Sequence, residues 1–280
     1  MTNSDKYLTT KDFLVSGESF DLVYNRKMDL LETFPQPPAS ALIKYYESEE
    51  YISHTDDKKG LLAGLYQIVK KWSLRNKTSL IFKQNSGIGS LLDVGAGTGE
   101  FLKVARSKGW KVQGMEPSSK AAILAKAKDL ELKNSLSDFK GEQFDVVTLW
   151  HVLEHIPDLE ETINKLSSLV KLNGTLIIAV PNFKSFDASH YGKFWAAYDV
   201  PRHLWHFSKL AIEKLFRENF ELERIEPMIF DSFYVSLLSE KYKSGNKFSI
   251  RAFWIGLKSN FSAKRSKEYS SHIYCLRKTK

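Results

Sequence analysis

The chain has 280 residues, is 42% hydrophobic and carries one cysteine, which excludes an intrachain disulfide and any multi-cysteine metal site while leaving enough length for one large core or a core with an appended subdomain. Its net charge of +8 is uneven: residues 241 to 280 hold eleven Lys and Arg against one acid, Glu268, so the remainder is slightly acidic. Met1 to Thr10 is polar and lacks an apolar signal core, and no apolar run approaches bilayer length, which predicts a soluble, cytoplasmic protein.

Residues 1 to 38 contain short β-like runs such as Ser19-Phe20-Asp21-Leu22-Val23-Tyr24 and end in the extended Phe34-Pro35-Gln36-Pro37-Pro38. Helical patterns follow from Ala39 to about Ser48 and from Leu61 to about Phe82, a lead-in over 39–87 expected to pack on a sheet. From Ser90 onward, strands and helices alternate. Strands are expected near 90–94, 111–115, 131–135, 144–149, 175–180, 220–226 and 269–276, and helices near 99–108, 118–129, 159–171 and 208–218. This is the pattern of an α/β fold with a doubly wound, seven-stranded, mostly parallel sheet, occupying 88–280. Two aromatic-rich insertions interrupt it, at 182–207 and 229–265. The first follows the fifth strand and is placed to hold substrate; the helical run Ser232 to Lys243 of the second would fold over the crevice as a lid.

The first strand runs into Asp93-Val94-Gly95-Ala96-Gly97-Thr98-Gly99-Glu100. The glycines allow a tight turn and close approach of backbone N–H groups to a ligand, and Thr98 can start the next helix. Dinucleotide, flavin and S-adenosylmethionine sites all use such a turn, but G-x-G-x-G preceded by an acid departs from the pyrophosphate pattern. Asp93 would repel a pyrophosphate and attract a ligand carrying an amino group and a sulfonium, which favours S-adenosylmethionine over NAD. Glu116, at the tip of the second strand and followed by Pro117, can accept from both ribose hydroxyls. Met115 and Leu136 are expected to flank adenine, with Asp138 accepting from its amino group.

A third segment, Phe144-Asp145-Val146-Val147-Thr148-Leu149-Trp150-His151-Val152-Leu153-Glu154-His155-Ile156-Pro157-Asp158, ends an apolar strand with Trp150 and His151 beside the cofactor mouth. With this run the chain resembles the class I S-adenosylmethionine-dependent methyltransferases of the small-molecule type, over roughly residues 88 to 225. The resemblance implies the Rossmann-like methyltransferase sheet, ordered 3-2-1-4-5-7-6 with the last strand antiparallel. It also implies S-adenosylmethionine as methyl donor and S-adenosylhomocysteine as product. The expected cofactor residues are Asp93, Gly95, Ala96, Gly97, Thr98, Gly99, Glu116, Pro117, Asp138, Trp150 and His151.

Methyl transfer from a sulfonium needs an aligned nucleophile, excluded water and, for a protonated acceptor, a base. His151 is a candidate for shaping the donor pocket or accepting a proton, whereas His155 is expected to tie its loop. The run Tyr198-Asp199-Val200-Pro201-Arg202-His203-Leu204-Trp205-His206-Phe207-Ser208 resembles a Pro-Arg-His-x-x-His-Phe segment of the same group. His203 is accordingly expected as base or acceptor-orienting residue, Arg202 as holder of an anionic group and Tyr198 or Asp199 as polar partner, while Ser208 caps the next helix. No metal is expected, because Val152 stands at the second position where His-Glu-x-x-His has its catalytic Glu, and Pro157 ends the run. Sugar C-methyltransferases of the group begin with a zinc ribbon, and Phe20-Asp21-Leu22-Val23 and Pro35-Gln36-Pro37 match it. Here Asn25 and Met28 replace the Cys-x-x-Cys pair, leaving a ribbon remnant without metal.

The expected activity is methyl transfer to an O or C atom of a small molecule, either large and apolar or a sugar nucleotide. The basic segment would make weak contact with an anionic membrane surface or a phosphorylated ligand, and no specific nucleic acid is expected. The alternatives are a non-enzymatic methyltransferase-like protein whose basic tail binds lipid or nucleic acid, and a nicotinamide-dependent oxidoreductase.

Overall fold

The computed structural model describes residues 5–46, 61–246 and 249–280. Three N-terminal strands, β1 (Lys6–Lys11), β2 (Ser19–Asn25) and β3 (Leu30–Phe34), pair antiparallel in sequence, burying Phe20, Leu22 and Leu31. The β2–β3 turn closes where the thiolates of a zinc ribbon would stand. Asn25 Oδ1 accepts from the Met28 N–H at 3.1 Å, the Asp29 N–H reaches the Asn25 carbonyl at 2.8 Å, and Asp29 adopts φ of 60°. The Asp29 carboxylate then binds Lys184 Nζ at 2.6 and 2.7 Å, Ser208 Oγ at 2.6 Å and the Tyr24 hydroxyl, so an acid ties the ribbon to the rest of the chain.

A single turn, α1 (Ala39–Leu42), runs into a 3-10 turn at Ile43–Tyr46. The end of the helix expected to reach Ser48 lies outside the described residues, as do Met1 to Ser4 of the polar N-terminus. The long helix α2 (Leu61–Gln84) leads into the main unit. There the chain forms β4 (Ser90–Val94), α3 (Glu100–Ser107), β5 (Lys111–Met115), α4 (Ser119–Lys126), β6 (Leu132–Lys133), β7 (Phe144–Trp150), α5 (Leu159–Leu169) and β8 (Val170–Pro181). It continues through α6 (Phe186–Tyr191), β9 (Trp205–His206), α7 (Lys209–Phe216), β10 (Phe220–Pro227), α8 (Asp231–Ser244), α9 (Ile250–Ser266) and β11 (Ser271–Lys278).

Seven strands form the main sheet in the order β10-β11-β8-β7-β4-β5-β6, with β11 antiparallel to both neighbours. Numbered within that sheet and read from the β6 edge, this is the expected 3-2-1-4-5-7-6. Leu91, Leu92, Val94, Val146, Val147 and Leu149 of β4 and β7 are all buried, because helices cover both faces. Leu92, Val94, Val147 and Leu149 join α5 and α7 on one side; Leu91, Val146 and Ile177 meet Ile81, Phe101, Leu102 and Ala125 on the other. Side-chain caps from Ser118, Asp158, Ser208 and Ser249 start α4, α5, α7 and α9. Thr98 does not start α3 as expected: Gly99, at φ of 75°, is its N-cap and supplies no side chain.

The first insertion does not stand apart from the N-terminal strands. Its β9 pairs antiparallel with β3, placing Leu31 opposite His206, and Trp195, Tyr198 and Val200 share one core with Phe20, Leu22 and Tyr45. In the main sheet the chain progresses outward from β4 through β5 and β6 in one direction and through β7 and β8 in the other. This switch point opens a crevice at the carboxyl ends of β4 and β7.

Candidate active site

Asp93, at the end of β4, is buried and accepts the Thr148 hydroxyl at 2.6 Å. Burial pushes its carboxyl up to about 7, although the Thr148 hydrogen bond and the Lys77 charge pull the other way. Beyond it the loop turns over β5, with the Gly95 and Ala96 N–H groups donating to the Met115 carbonyl at 2.8 and 2.9 Å. A Cβ on Gly95 would lie 2.4 Å from Val152, so this residue is small for packing against the His151 segment. Gly97 differs: at φ of 54° it has no heavy atom within 4 Å of where a Cβ would be, and its N–H donates to Glu116 Oε2 at 2.8 Å. Glu116 Oε1 accepts the Ser118 N–H at 2.9 Å, which fixes the carboxylate across the loop beside Pro117. The Thr98 carbonyl accepts from Lys128 Nζ.

Trp150 closes the same mouth. Its ring meets Phe101 edge-on at 5.5 Å, Lys77 Nζ stands 4.3 Å from its centroid, and its buried indole N–H has no partner. The open side of Gly97, the bridging Glu116 and this orphaned donor fit a nucleoside ligand with a cationic tail near Asp93. Asp138 does not join them as expected. Its carboxylate accepts the Ser135 N–H at 3.0 Å in a capping box, and it is exposed. Met115 and Leu136 pack against the main core.

His151 follows β7 in the left-handed region, at φ of 58°. Nδ1 lies 3.4 Å from Glu154 Oε1 and Nε2 lies 3.3 Å from Asp231 Oδ2, so the ring bridges the β7 loop and the first residue of α8. Burial disfavours its charged form, but Asp231 and Glu154 outweigh this and push the imidazole up to about 10. Glu154 is buried, and among the described residues its carboxylate has no well-formed hydrogen bond beyond the long approach of His151 Nδ1. Burial would raise it, yet the hydrogen-bonding influence of His151 and the charge of His203 keep it below the ordinary carboxylate range.

The residues expected from the first insertion are all buried. Arg202 is buried, with its guanidinium consumed by Asp199 at 2.6 and 3.0 Å, Asp12 at 3.0 Å and the Tyr45 carbonyl at 2.9 Å. It is not free to hold an anionic group of a substrate. Tyr198 is buried between Trp195 and His206, and burial raises its hydroxyl well above the ordinary value, which makes it a core side chain. His203 Nδ1 donates to the Ala197 carbonyl at 2.9 Å, while its ring meets His155 edge-on at 4.5 Å. His155 Nδ1 in turn faces the Arg202 carbonyl at 3.0 Å and the Tyr46 hydroxyl at 3.1 Å, and burial with the His203 charge pushes it down to about 4. Ligand atoms of Glu154, His155 and His203 all fall within 4.8 Å of one another, a donor set able to hold a divalent cation that the sequence pattern did not suggest.

A cavity of about 310 Å³ opens between α2 and the β10–α8 junction, with Trp72, Asn76, Lys77, Met228, Phe230 and Asp231 on its walls. Lys77 and Asp231 link this cavity to Asp93 and His151. A larger cleft of about 450 Å³, between 136–143 and 165–169, lies at the amino end of β7, away from the crevice. Sequence reasoning missed Thr148, Glu154, Lys77 and Asp231. The first two sit inside a quoted motif, and their inward direction could be inferred from strand alternation and from the i, i+3 spacing to His151. The last two carry no local signal.

A sequence family described as a methyltransferase domain matches residues 66–225. The chain is 27% identical over 176 residues to the ubiquinone biosynthesis O-methyltransferase of Bradyrhizobium sp. (strain ORS 278), which covers 55% of this chain and 68% of that one. It is 26% identical over 232 residues to the protein of the same name from Rickettsia typhi (strain ATCC VR-144 / Wilmington), covering 75% of this chain and 91% of the relative. Among solved structures it superposes on magnesium protoporphyrin IX methyltransferase from Synechocystis PCC 6803 with a TM-score of 0.57 at 16% identity, covering 86% of this chain and all of the other. At that identity the likeness concerns the fold.

Proposed function

The chain belongs to the methyltransferase-domain family and is a class I S-adenosylmethionine-dependent methyltransferase acting on a small molecule, and from that premise we propose that it methylates a hydroxyl oxygen with His151 as base. The observation that carries this reading is the position of His151, with Nδ1 facing buried Glu154 and Nε2 facing the Asp231 carboxylate at the start of α8. A base oriented by a second group on its far nitrogen is the arrangement that proton abstraction requires.

S-adenosylmethionine, when bound, supplies an electrophilic methyl group for in-line displacement. Asp93 and Glu116 would hold its amino acid and ribose portions, Gly97 its closest backbone approach, and Trp150 a face and a donor. An acceptor hydroxyl that takes the place of Asp231 at His151 Nε2 removes one of the two carboxylates that keep the ring charged. The imidazole then falls toward neutrality and can accept the hydroxyl proton, while Glu154 stabilises the imidazolium formed. His203 and His155 act through Glu154 as positioning residues. The apolar cavity wall of Trp72, Met228, Ile229 and Phe230 favours an aromatic or long apolar acceptor over a sugar nucleotide, in keeping with relatives named for ubiquinone biosynthesis.

The test is His151→Asn, assayed by S-adenosylhomocysteine release with a panel of hydroxylated aromatic acceptors bearing apolar chains. The expected result is a loss of about 10²- to 10⁴-fold in kcat with cofactor affinity retained by calorimetry. An unchanged kcat would remove His151 from the chemistry.

A further inference from the structure

Helix α9 is amphipathic in the inverted sense. Its buried residues are the small ones, Ala252, Gly256, Ser259 and Ala263: Ser259 donates to Asp187 of α6 at 2.7 Å, and a Cβ on Gly256 would lie 2.8 Å from the Phe233 ring of α8. Its large apolar residues face solvent: Ile250 is 78% exposed, Phe253 55%, Trp254 61%, Leu257 42% and Phe261 74%. These five sit at i, i+3, i+4, i+7 and i+11, and at about 100° per residue they fall in one arc opposite the four small residues. Tyr234 and Leu237 of α8 add exposed apolar surface to the same hairpin. Burying methyl groups while exposing a tryptophan and two phenylalanines is unfavourable unless the outer face meets an apolar phase.

Charge identifies that phase. The sequence of α9 contains Arg251, Lys258, Lys264 and Arg265, all exposed, and no acid. An aromatic and aliphatic stripe shouldered by Lys and Arg is suited to the boundary between acyl chains and anionic headgroups, where the long cationic side chains reach the phosphates. A second copy of the chain fits poorly, because a two-fold contact on this face would set two acid-free basic helices against each other.

We propose that the exposed face of α9 docks the enzyme on an anionic lipid bilayer. No helix among the described residues is long and apolar enough to cross a membrane, so the contact is peripheral. The hairpin begins at Asp231, which faces His151, and Ile229 and Phe230 line the neighbouring cavity. Docking therefore sets the mouth of the cavity near the acyl boundary, from which an apolar acceptor can be drawn. The docking itself does not depend on His151 being the base.

Vesicle flotation of the full chain tests this, with phosphatidylcholine alone and with about one third phosphatidylglycerol. Binding should be about tenfold or more stronger to the anionic vesicles and should weaken in high salt. The triple variant Phe253→Ser, Trp254→Ser, Phe261→Ser should lose about tenfold or more of it. Lys264→Glu with Arg265→Glu should reduce binding to anionic vesicles and leave the weak binding to neutral ones. Calorimetric binding of S-adenosylhomocysteine by each variant reports its folding. Failure of the folded wild type to float, or flotation equal in the triple variant, would overturn the proposal. A concentration-dependent dimer abolished by the triple variant, without vesicle binding, would give the face to a second copy instead.

Discussion

Asp93→Asn should stabilise the folded protein at alkaline pH while removing cofactor binding. The carboxyl moves from an ordinary 3.8 to about 7 on folding, chiefly through burial. Because the folded state holds the proton more tightly than the unfolded state, stability is lost as pH rises from 3.8 through 7. At 1.36 kcal/mol per pH unit the cost is about 1.5 kcal/mol at pH 5 and about 4 kcal/mol at pH 8. Asparagine carries no such cost and its Oδ1 can still accept the Thr148 hydroxyl, which now lies 2.6 Å away. Urea unfolding of both proteins should therefore show the asparagine variant gaining about 2.5 kcal/mol relative to wild type between pH 5 and pH 8. In parallel, S-adenosylhomocysteine affinity should fall about 100-fold or more in the variant, from loss of a charge-assisted contact. Wild-type affinity should weaken as pH falls below about 7. A stability difference that is flat between the two pH values would refute the assignment of Asp93 as a buried, cofactor-neutralised acid.

Arg202→Met should cost about 3–5 kcal/mol in chemical unfolding, because it strands the carboxylates of Asp12 and Asp199. Its kcat per folded molecule should be near wild type, and a collapse of kcat in a still-folded variant would return Arg202 to the chemistry. Gly97→Ala should lose cofactor affinity with only about 1 kcal/mol of stability, since the strain of a positive φ is the sole folding penalty where no neighbouring atom is met. Unaltered affinity would mean that the open side of Gly97 is not the ligand's. Dialysis against a chelator should leave activity intact; a loss restored by an added divalent ion would assign Glu154 to a metal held with His155 and His203.

The local geometry of the candidate cofactor loop was readable because its groups are close in sequence: a strand, three glycines and two acids at adjacent strand ends express their arrangement through short-range turn chemistry. The other half was not. Lys77 and Asp231 are unremarkable helix residues whose meaning comes from where α2 and α8 lie across the sheet. Arg202 and His203 showed the opposite failure. A polar and aromatic run looks the same whether it lines a pocket or a buried ion network, and what decided the matter was Asp12, 190 positions away in the chain. At Asp138 a nearby amide at Ser135 competed successfully for the carboxylate. The sheet order came from resemblance, since alternation alone does not say which edge a strand joins. The N-cap at Gly99 shows how backbone sign, invisible in hydrophobic pattern, shifts a helix start.

The pairing of β3 with β9 has a consequence for biosynthesis. The Thr33 hydroxyl is satisfied by the His203 carbonyl, 170 positions downstream, and Thr33 also meets His206. During translation β1 to β3 therefore emerge well before the strand that completes their sheet, and at ribosomal speeds of about 5–20 residues per second they wait roughly ten seconds or more with an unpaired edge. That interval is when a chaperone or a protease would meet the chain, and it ends only when Trp205 and His206, the strand that completes the sheet, have been made.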